Sequence, residues 1–250
     1  MSDGIWSALS GAVGQMAVLD AAANNVANAS TSGFRADRPM FKEVLSRAST
    51  ARNAAPAGQW RNVRYAAVDA VSSDMTPGAI TQTGRPLDVA LRGEGMFVVQ
   101  TPQGDRYTRM GSVRIATDGT LTTVSGQPYL GTDKRPIKVP ATSTDASIAP
   151  DGTVKAGGAT VGTLEVVNFA KPGELQKAEP SLFVATAKSG AAKPVAAVLE
   201  PKSLEGSNVS AVKGMVDLIG ATRGFEACQS VIEAFKDADR RAAMALMGST

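Results

Sequence analysis

The chain has 250 residues, of which 43% are hydrophobic and 20% charged, and its net charge is +3. That length buries a sizeable core, as one large domain or two smaller ones. A single cysteine, Cys228, excludes an intramolecular disulfide, and the absence of histidine removes the commonest metal ligand and general base.

Charge is spread so that neither end is a basic arm. Up to residue 40, Arg35 and Arg38 stand against Asp3, Asp20 and Asp37, and residues 202–250 hold six basic and six acidic side chains. Nucleic acid is therefore not an expected partner, and neither is a membrane surface bound by a basic amphipathic helix. The opening Met-Ser-Asp-Gly-Ile-Trp lacks the positive and apolar regions of a secretory signal peptide. No run of about 18 apolar residues occurs, so direct membrane insertion is not expected either.

Proline sets the layout. All 13 prolines lie between Pro39 and Pro201, and proline breaks helix interiors. The N-terminal stretch reads as a helix over residues 4–28 with Ser2 or Asp3 as cap, about 37 Å long. Its apolar residues Ile5, Leu9, Ala12, Met16, Leu19, Ala23 and Val26 alternate four and three apart, a heptad seam suited to partner helices. The helix ends in Asn28-Ala-Ser-Thr-Ser-Gly33, where Gly33 is free to take a positive φ.

Residues 41–75 show little pattern and read as a solvated loop, flexible over Ala48–Gly58 and carrying Arg47, Arg52, Arg61 and Arg64. From about Ala79 to Leu199, short apolar runs alternate with turns: Leu87–Leu91, Met96–Gln100, Val113–Ala116, Leu121–Val124, Thr163–Phe169, Leu182–Thr186 and Val195–Leu199. Asp118-Gly119 and Asp151-Gly152 read as hairpin turns, because both central positions tolerate positive φ, and Pro102–Asp105 as a looser turn. No helical pattern separates the strands, so this region is expected to be all-β, a sandwich or irregular barrel.

A second helix of about 40 residues follows, capped by Ser207 or Asn208 and spanning about 60 Å. Its stripe is Met215, Leu218, Thr222, Phe225, Cys228, Ile232 and Phe235, widened by Val212, Val216 and Ile219 and continued by Ala242, Ala245 and Leu246. Cys228 reads as a small hydrophobe on that face. Two one-faced helices at opposite chain ends are marginal alone and gain from packing against copies or relatives. Contacts that do not close generate a filament. The seam residues of both helices are thus the expected assembly interface, with termini that order on assembly.

Catalytic chemistry is not marked. Gly93-Glu94-Gly95 lacks the rest of a dinucleotide fingerprint, and no Walker loop, metal-ligand spacing or nucleophile elbow occurs. Asp237 and Asp239 lie beside Arg240 and Arg241, a solvated helix face. Few aromatics occur in residues 79–199, which weighs against the alternative of a secreted binding or adhesion module with an aromatic-lined cleft.

Three segments carry a family resemblance. Asn24-Asn-Val-Ala-Asn-Ala-Ser-Thr-Ser-Gly-Phe-Arg-Ala36 resembles the N-terminal signature of bacterial flagellar rod and hook proteins. Leu204-Glu-Gly-Ser-Asn-Val209, with Met215–Ile219 and Arg223–Glu226, resembles the matching C-terminal signature. Thr76–Leu91 and Tyr107-Thr-Arg-Met-Gly-Ser112 resemble the central segment.

The resemblance implies an α+β fold in which long N- and C-terminal helices form a coiled-coil layer around which an inserted all-β domain is set. It divides the chain into a terminal helical assembly domain (1–33 and 204–250), a connecting region (34–78) and a β domain (79–203). It implies a structural, non-enzymatic subunit without cofactor or metal, placed in the proximal rod, the distal rod being the alternative. The expected partners are other axial proteins, either different rod subunits or copies of itself, and the flagellar type III export apparatus. The expected location is the basal body within the periplasmic space. Asn25, Asn28, Gly33 and Phe34 would shape the turn leaving the first helix, and Leu204, Asn208 and Val209 the return.

Overall fold

The computed structural model describes residues 2–47, 62–140, 145–196 and 198–247, with the side chains of 2–4, 43–47, 62–68, 242–243 and 245–247 outside the description. Ala48–Gly58, Arg52 and Arg61 therefore lie outside the described residues, as do the side chains of Ser2, Asp3, Arg47, Arg64, Ala242, Ala245 and Leu246. The chain resolves into two units: residues 1–24, 38–71 and 212–250 form one, and residues 25–37 and 72–211 the other.

The first unit is built on two helices, α1 (Ser2–Ala27) and α2 (Ala211–Met247). Both lie in the proline-free ends, where nothing interrupts the backbone ladder. α2 begins after Ser207 and Asn208, so neither caps it: Ser207 Oγ accepts from Val209 N, and Asn208 has other partners.

The expected coiled-coil layer is not what the chain forms. The described residues contain only these two α-helices, with a mostly β middle between them, so the α+β class stands without the layer. The residues buried on the helices are small: Ala12, Ala21, Ala22 and Ala221. A Cβ on Gly11 would lie 3.6 Å from Cys228 Sγ, and one on Gly224 would lie 2.9 Å from Gln15 Oε1. Helices that approach through Gly and Ala have no holes for large knobs, so Leu9, Met16, Met215, Val216 and Ile219 stay exposed and Val212 is 75% exposed.

The same unit holds a two-stranded ribbon, β1 (Asp37–Arg47) and β2 (Asn62–Ser73), where the sequence reads as a solvated loop. Met40, Phe41 and Val71 are exposed, although a Cβ on Gly14 would meet the Phe41 ring at 3.3 Å. Apolar residues exposed in this way leave no period-2 signature to read at their positions.

The second unit is all-β apart from a 3-10 turn, Pro172–Glu174. Its largest sheet has six strands in the order Gln176–Glu179, Leu182–Val184, Gly104–Thr108, Met96–Thr101, Val166–Asn168 and Lys193–Pro194. A three-stranded sheet joins Ala146–Ile148, Thr153–Ala156 and Ala159–Thr163. The sheet centre is buried on both faces, which is why it reads as continuous apolar runs. Phe97, Val99, Val166 and Leu182 enter one core cluster with Leu121, Tyr129 and Leu164. Their neighbours Met96, Val98, Val167 and Phe183 enter the other with Leu130 and Phe169. Alternation along each strand sends successive side chains to opposite clusters.

Both Asp-Gly turns occur where expected, each between two paired strands. Gly119 (φ 83°) and Gly152 (φ 85°) take the positive φ, whereas their aspartates do not. Asp118 Oδ1 accepts from Thr120 N at 3.0 Å, and Asp151 Oδ1 accepts from Thr153 N at 2.9 Å. These Asx bonds mimic a backbone turn and hold each aspartate at negative φ. Of the described residues in the run Val195–Leu199, Leu199 alone lies in a strand, Leu199–Pro201, and Val195 follows the strand Lys193–Pro194.

Candidate functional site

The two terminal signatures converge within the second unit. The chain leaving α1 turns at Asn28, whose Oδ1 accepts from Thr31 Oγ1 at 3.2 Å. Asn25 then clasps the backbone of Asp37 from both sides, donating Nδ2–H to its carbonyl at 2.9 Å and accepting its N–H at 2.7 Å. Gly33 has φ 68°, and a Cβ there would lie 2.5 Å from the carbonyl carbon of Arg109. Both facts require glycine. Gly33 N–H donates to Glu205 O at 2.8 Å, the first direct tie between the two signatures.

Asn208 makes the second. Its Oδ1 accepts from Ala36 N at 2.8 Å, and its Nδ2 donates to Asp74 O at 2.9 Å and Thr76 O at 3.0 Å. One amide side chain thereby joins three chain segments. Leu204 lies on the short strand Ser203–Glu205, paired with Thr81 of Ile80–Gln82, and Val209 follows half-buried.

Charge lies at the centre. Glu205 and Arg35 are fully buried, and Arg35 Nη2 donates to Glu205 Oε1 at 2.5 Å. The same carboxylate accepts from Gly78 N at 3.0 Å and from Arg109 Nη1 at 3.4 Å. Arg109 also donates to Leu91 O and Gly93 O, and burial brings its pKa down to about 10. Lys177 Nζ donates to Arg35 O at 2.7 Å and to Asp37 Oδ1 at 2.5 Å, and sits 4.0 Å from the centroid of the Phe34 ring. Burial lowers its pKa, and the hydrogen bond to Asp37 works against that.

A buried carboxylate that loses water needs several donors, and Glu205 has them from three segments distant in sequence. The arrangement is therefore a structural clasp. It presents no nucleophile with a base beside it, and among the described residues no group of three or more His, Cys, Asp or Glu could hold a metal ion.

Of the residues expected to shape the two turns, Asn25, Gly33, Phe34 and Asn208 meet in this clasp; Asn28, Leu204 and Val209 flank it. Sequence reasoning did not single out Arg35, Asp37, Arg109, Lys177 or Glu205. Arg35 and Glu205 stand inside the two signatures, and a charged residue among small and apolar ones was the available signal. Of the assembly-seam residues, Ile5, Leu19, Val26, Leu218, Phe225, Ile232 and Phe235 are half-buried. Leu9, Met16, Val212, Met215, Val216 and Ile219 are exposed. Phe235 shares a hollow with the other helix, beside Ser7, Ala8 and Gly11.

Known proteins match the chain over nearly its full extent. The flagellar hook protein FlgE/F/G D1 domain matches residues 90–156, and the flagellar basal body rod FlgEFG protein C-terminal domain matches residues 200–245. The flagellar basal-body rod protein FlgF of Salmonella typhimurium is 35% identical over 262 residues, covering 97% of each chain. FlgF of Escherichia coli is 34% identical, also over 97% of each. FlgG of Bacillus subtilis is 31% identical over 91% of this chain and 93% of its own. At this identity and coverage, with the clasp formed by the very segments that resemble the signatures, the chain belongs to the flagellar basal-body rod protein family.

Proposed function

We propose that this chain is a structural subunit of the proximal part of the flagellar rod and works without catalysis or a cofactor. Residues 1–33 and 204–250 act as its assembly domain, 34–78 as a connection and 79–203 as the outer β domain. It joins other axial proteins through the apolar side chains of its terminal helices, reaches the periplasmic basal body through the flagellar type III export apparatus, and passes torque from motor to hook. The observation that carries this reading is the pairing of exposed apolar helix residues, Leu9, Met16, Val212, Met215, Val216 and Ile219, with a buried clasp at the helix roots. Exposed apolar rows mark surfaces that partners cover, and a subunit under load needs rigid connections where its helices leave its β body.

Deletion of the gene in its own host tests this. Cells are expected to lose hook, filament and swimming, and complementation with the intact gene is expected to restore all three. Normal filaments in the deletion strain would remove the rod assignment. Imaging of basal bodies from that strain separates the proximal position from the distal one, which the FlgG match keeps as the alternative.

A further inference from the structure

Helix α1 presents two unlike faces. At ~100° per residue, Trp6, Leu9, Val13 and Met16 fall on one side of it, and Ser7, Ala8 and Gly11 on the other. The first side is apolar and open: Trp6 is 57% exposed, and Leu9, Val13 and Met16 are exposed as well. The second side meets α2 and leaves a hollow of about 480 Å³, whose walls include Ala8, Gly11, Ala227, Cys228, Val231 and Phe235. The hollow follows from helices that meet through small residues, since Ala8, Gly11 and Ala227 leave room that larger side chains would fill.

Neither surface carries charge. Residues 4–19 contain no charged side chain, and none of the described residues lining the hollow is charged. Helix α2 is interrupted by charge along its length, at Lys213, Asp217, Arg223, Glu226 and Glu233 among others. Within this chain, α1 is thus the helix that enters an apolar hollow without stripping water from a charge. Its own hollow lies behind it, on the opposite face, so the stripe of one copy reaches only the hollow of another.

We propose that the Trp6 stripe of one copy docks in the hollow between α1 and α2 of a second copy. Trp6 is the anchor: a Trp side chain buries up to about 250 Å², and Trp is enriched among the residues that dominate interfaces. Leu9, Val13 and Met16 extend the contact along the groove. The inserting face and the receiving hollow are different surfaces of one molecule, so the contact is heterologous and propagates from copy to copy. Four side chains about half exposed cover less than the ~800 Å² per partner of a stable complex, so the contact is held within the assembly and the isolated chain stays a monomer. This contact presupposes the rod assignment and adds that one axial neighbour is a second copy.

Cys228, the one cysteine of the chain, lies in the hollow and supplies the test. Cells co-express the wild-type chain and W6C/C228A, so that a disulfide from position 6 to Cys228 forms only between copies. Basal bodies are isolated, oxidised with copper phenanthroline and separated without reductant, and linked peptides are identified by mass spectrometry. A heterodimer joined through position 6 and Cys228 is expected, at least about tenfold above the yield from S147C/C228A, because docking raises the local thiol concentration. Ser147 is exposed on the β unit and reports chance encounters. Both chains present in basal bodies with the heterodimer at that background would overturn the proposal and leave the rod assignment standing. A disulfide from position 6 to a different axial protein in place of Cys228 would overturn it as well. Absence of the wild-type chain itself from basal bodies would remove the rod assignment, and the proposal with it. Should W6C/C228A alone stay out, the two purified full chains are mixed at high concentration and oxidised, and a heterodimer at background overturns the proposal there too.

Discussion

Glu205 shows how much one side chain can hold. Its carboxylate accepts from Arg35, Gly78 and Arg109, and its carbonyl accepts from Gly33. E205Q keeps the shape and removes the charge, leaving two guanidiniums buried without a counterion. Breaking a buried pair in this way costs about 3–5 kcal/mol, and urea unfolding followed by tyrosine fluorescence is expected to show a loss of that size. A loss below about 1 kcal/mol would mean that the clasp is solvated and carries little of the stability. Tyr129 acts through pH instead. Its ring is buried against Phe97, its hydroxyl donates to Met110 O at 2.8 Å, and burial raises its pKa above the ordinary 10.0. The folded chain thus keeps the phenol proton where the unfolded chain releases it. Its contribution is full below about pH 10 and lost as pH rises beyond, by up to about 1.4 kcal/mol per unit. Y129F lacks this term but forfeits a hydrogen bond worth about 1 kcal/mol. The stability gap between wild type and Y129F is expected to close between about pH 8 and pH 11. Arg109 and Lys177, whose lowered pKa values act in the opposite direction, are common to both proteins and cancel. A gap that stays constant with pH would show that Tyr129 ionises freely in the folded state.

Among the elements, glycines separate two kinds of constraint. G33A places a Cβ at positive φ and 2.5 Å from backbone, and neither atom can yield. The left-handed conformation alone costs about 1–2 kcal/mol, so a loss of at least about 2 kcal/mol in thermal or urea unfolding is expected. Gly220 sits inside α2, and a methyl group added there would have nothing within 4 Å. G220A is expected to stabilise α2 by up to about 1 kcal/mol, read as added helicity by circular dichroism. If G220A gains helicity and yet fails to enter rods, then Gly220 serves close approach by a partner helix. If it gains helicity and assembles normally, it serves no contact there. The two helices were legible because heptad spacing and the absence of proline are local signals. The ribbon of β1 and β2 was not, since its described apolar residues Met40, Phe41 and Val71 are exposed and impose no alternation of apolar and polar positions. The pairing of Arg35 with Glu205 was invisible for another reason: 170 residues separate them, and a single sequence contains no record of which distant charges meet.

The molecule as a whole divides its tasks between its two units. The clasp draws its bonds from residues 25–37 and 72–211, all within the β unit. The apolar rows lie on the helices of the other unit. Damage to a helix seam should therefore leave the clasp untouched while removing the ability to assemble. L19D and I232D each place a charge at a half-buried seam position, one on α1 and one on α2. In the isolated full chain, the amide signals of Phe34, Tyr129 and Glu205 are expected to stay where they are in the wild type. In cells, fractionated basal bodies are expected to lack both variants although the protein accumulates to normal levels. Each added carboxylate at a packed interface costs several kcal/mol unless paired, enough to lower incorporation by more than about a hundredfold. Incorporation of both variants at wild-type levels would mean that these rows are not the seam. Loss of the clasp signals would mean instead that the units do not fold independently, so the two measurements must be made on the same variants.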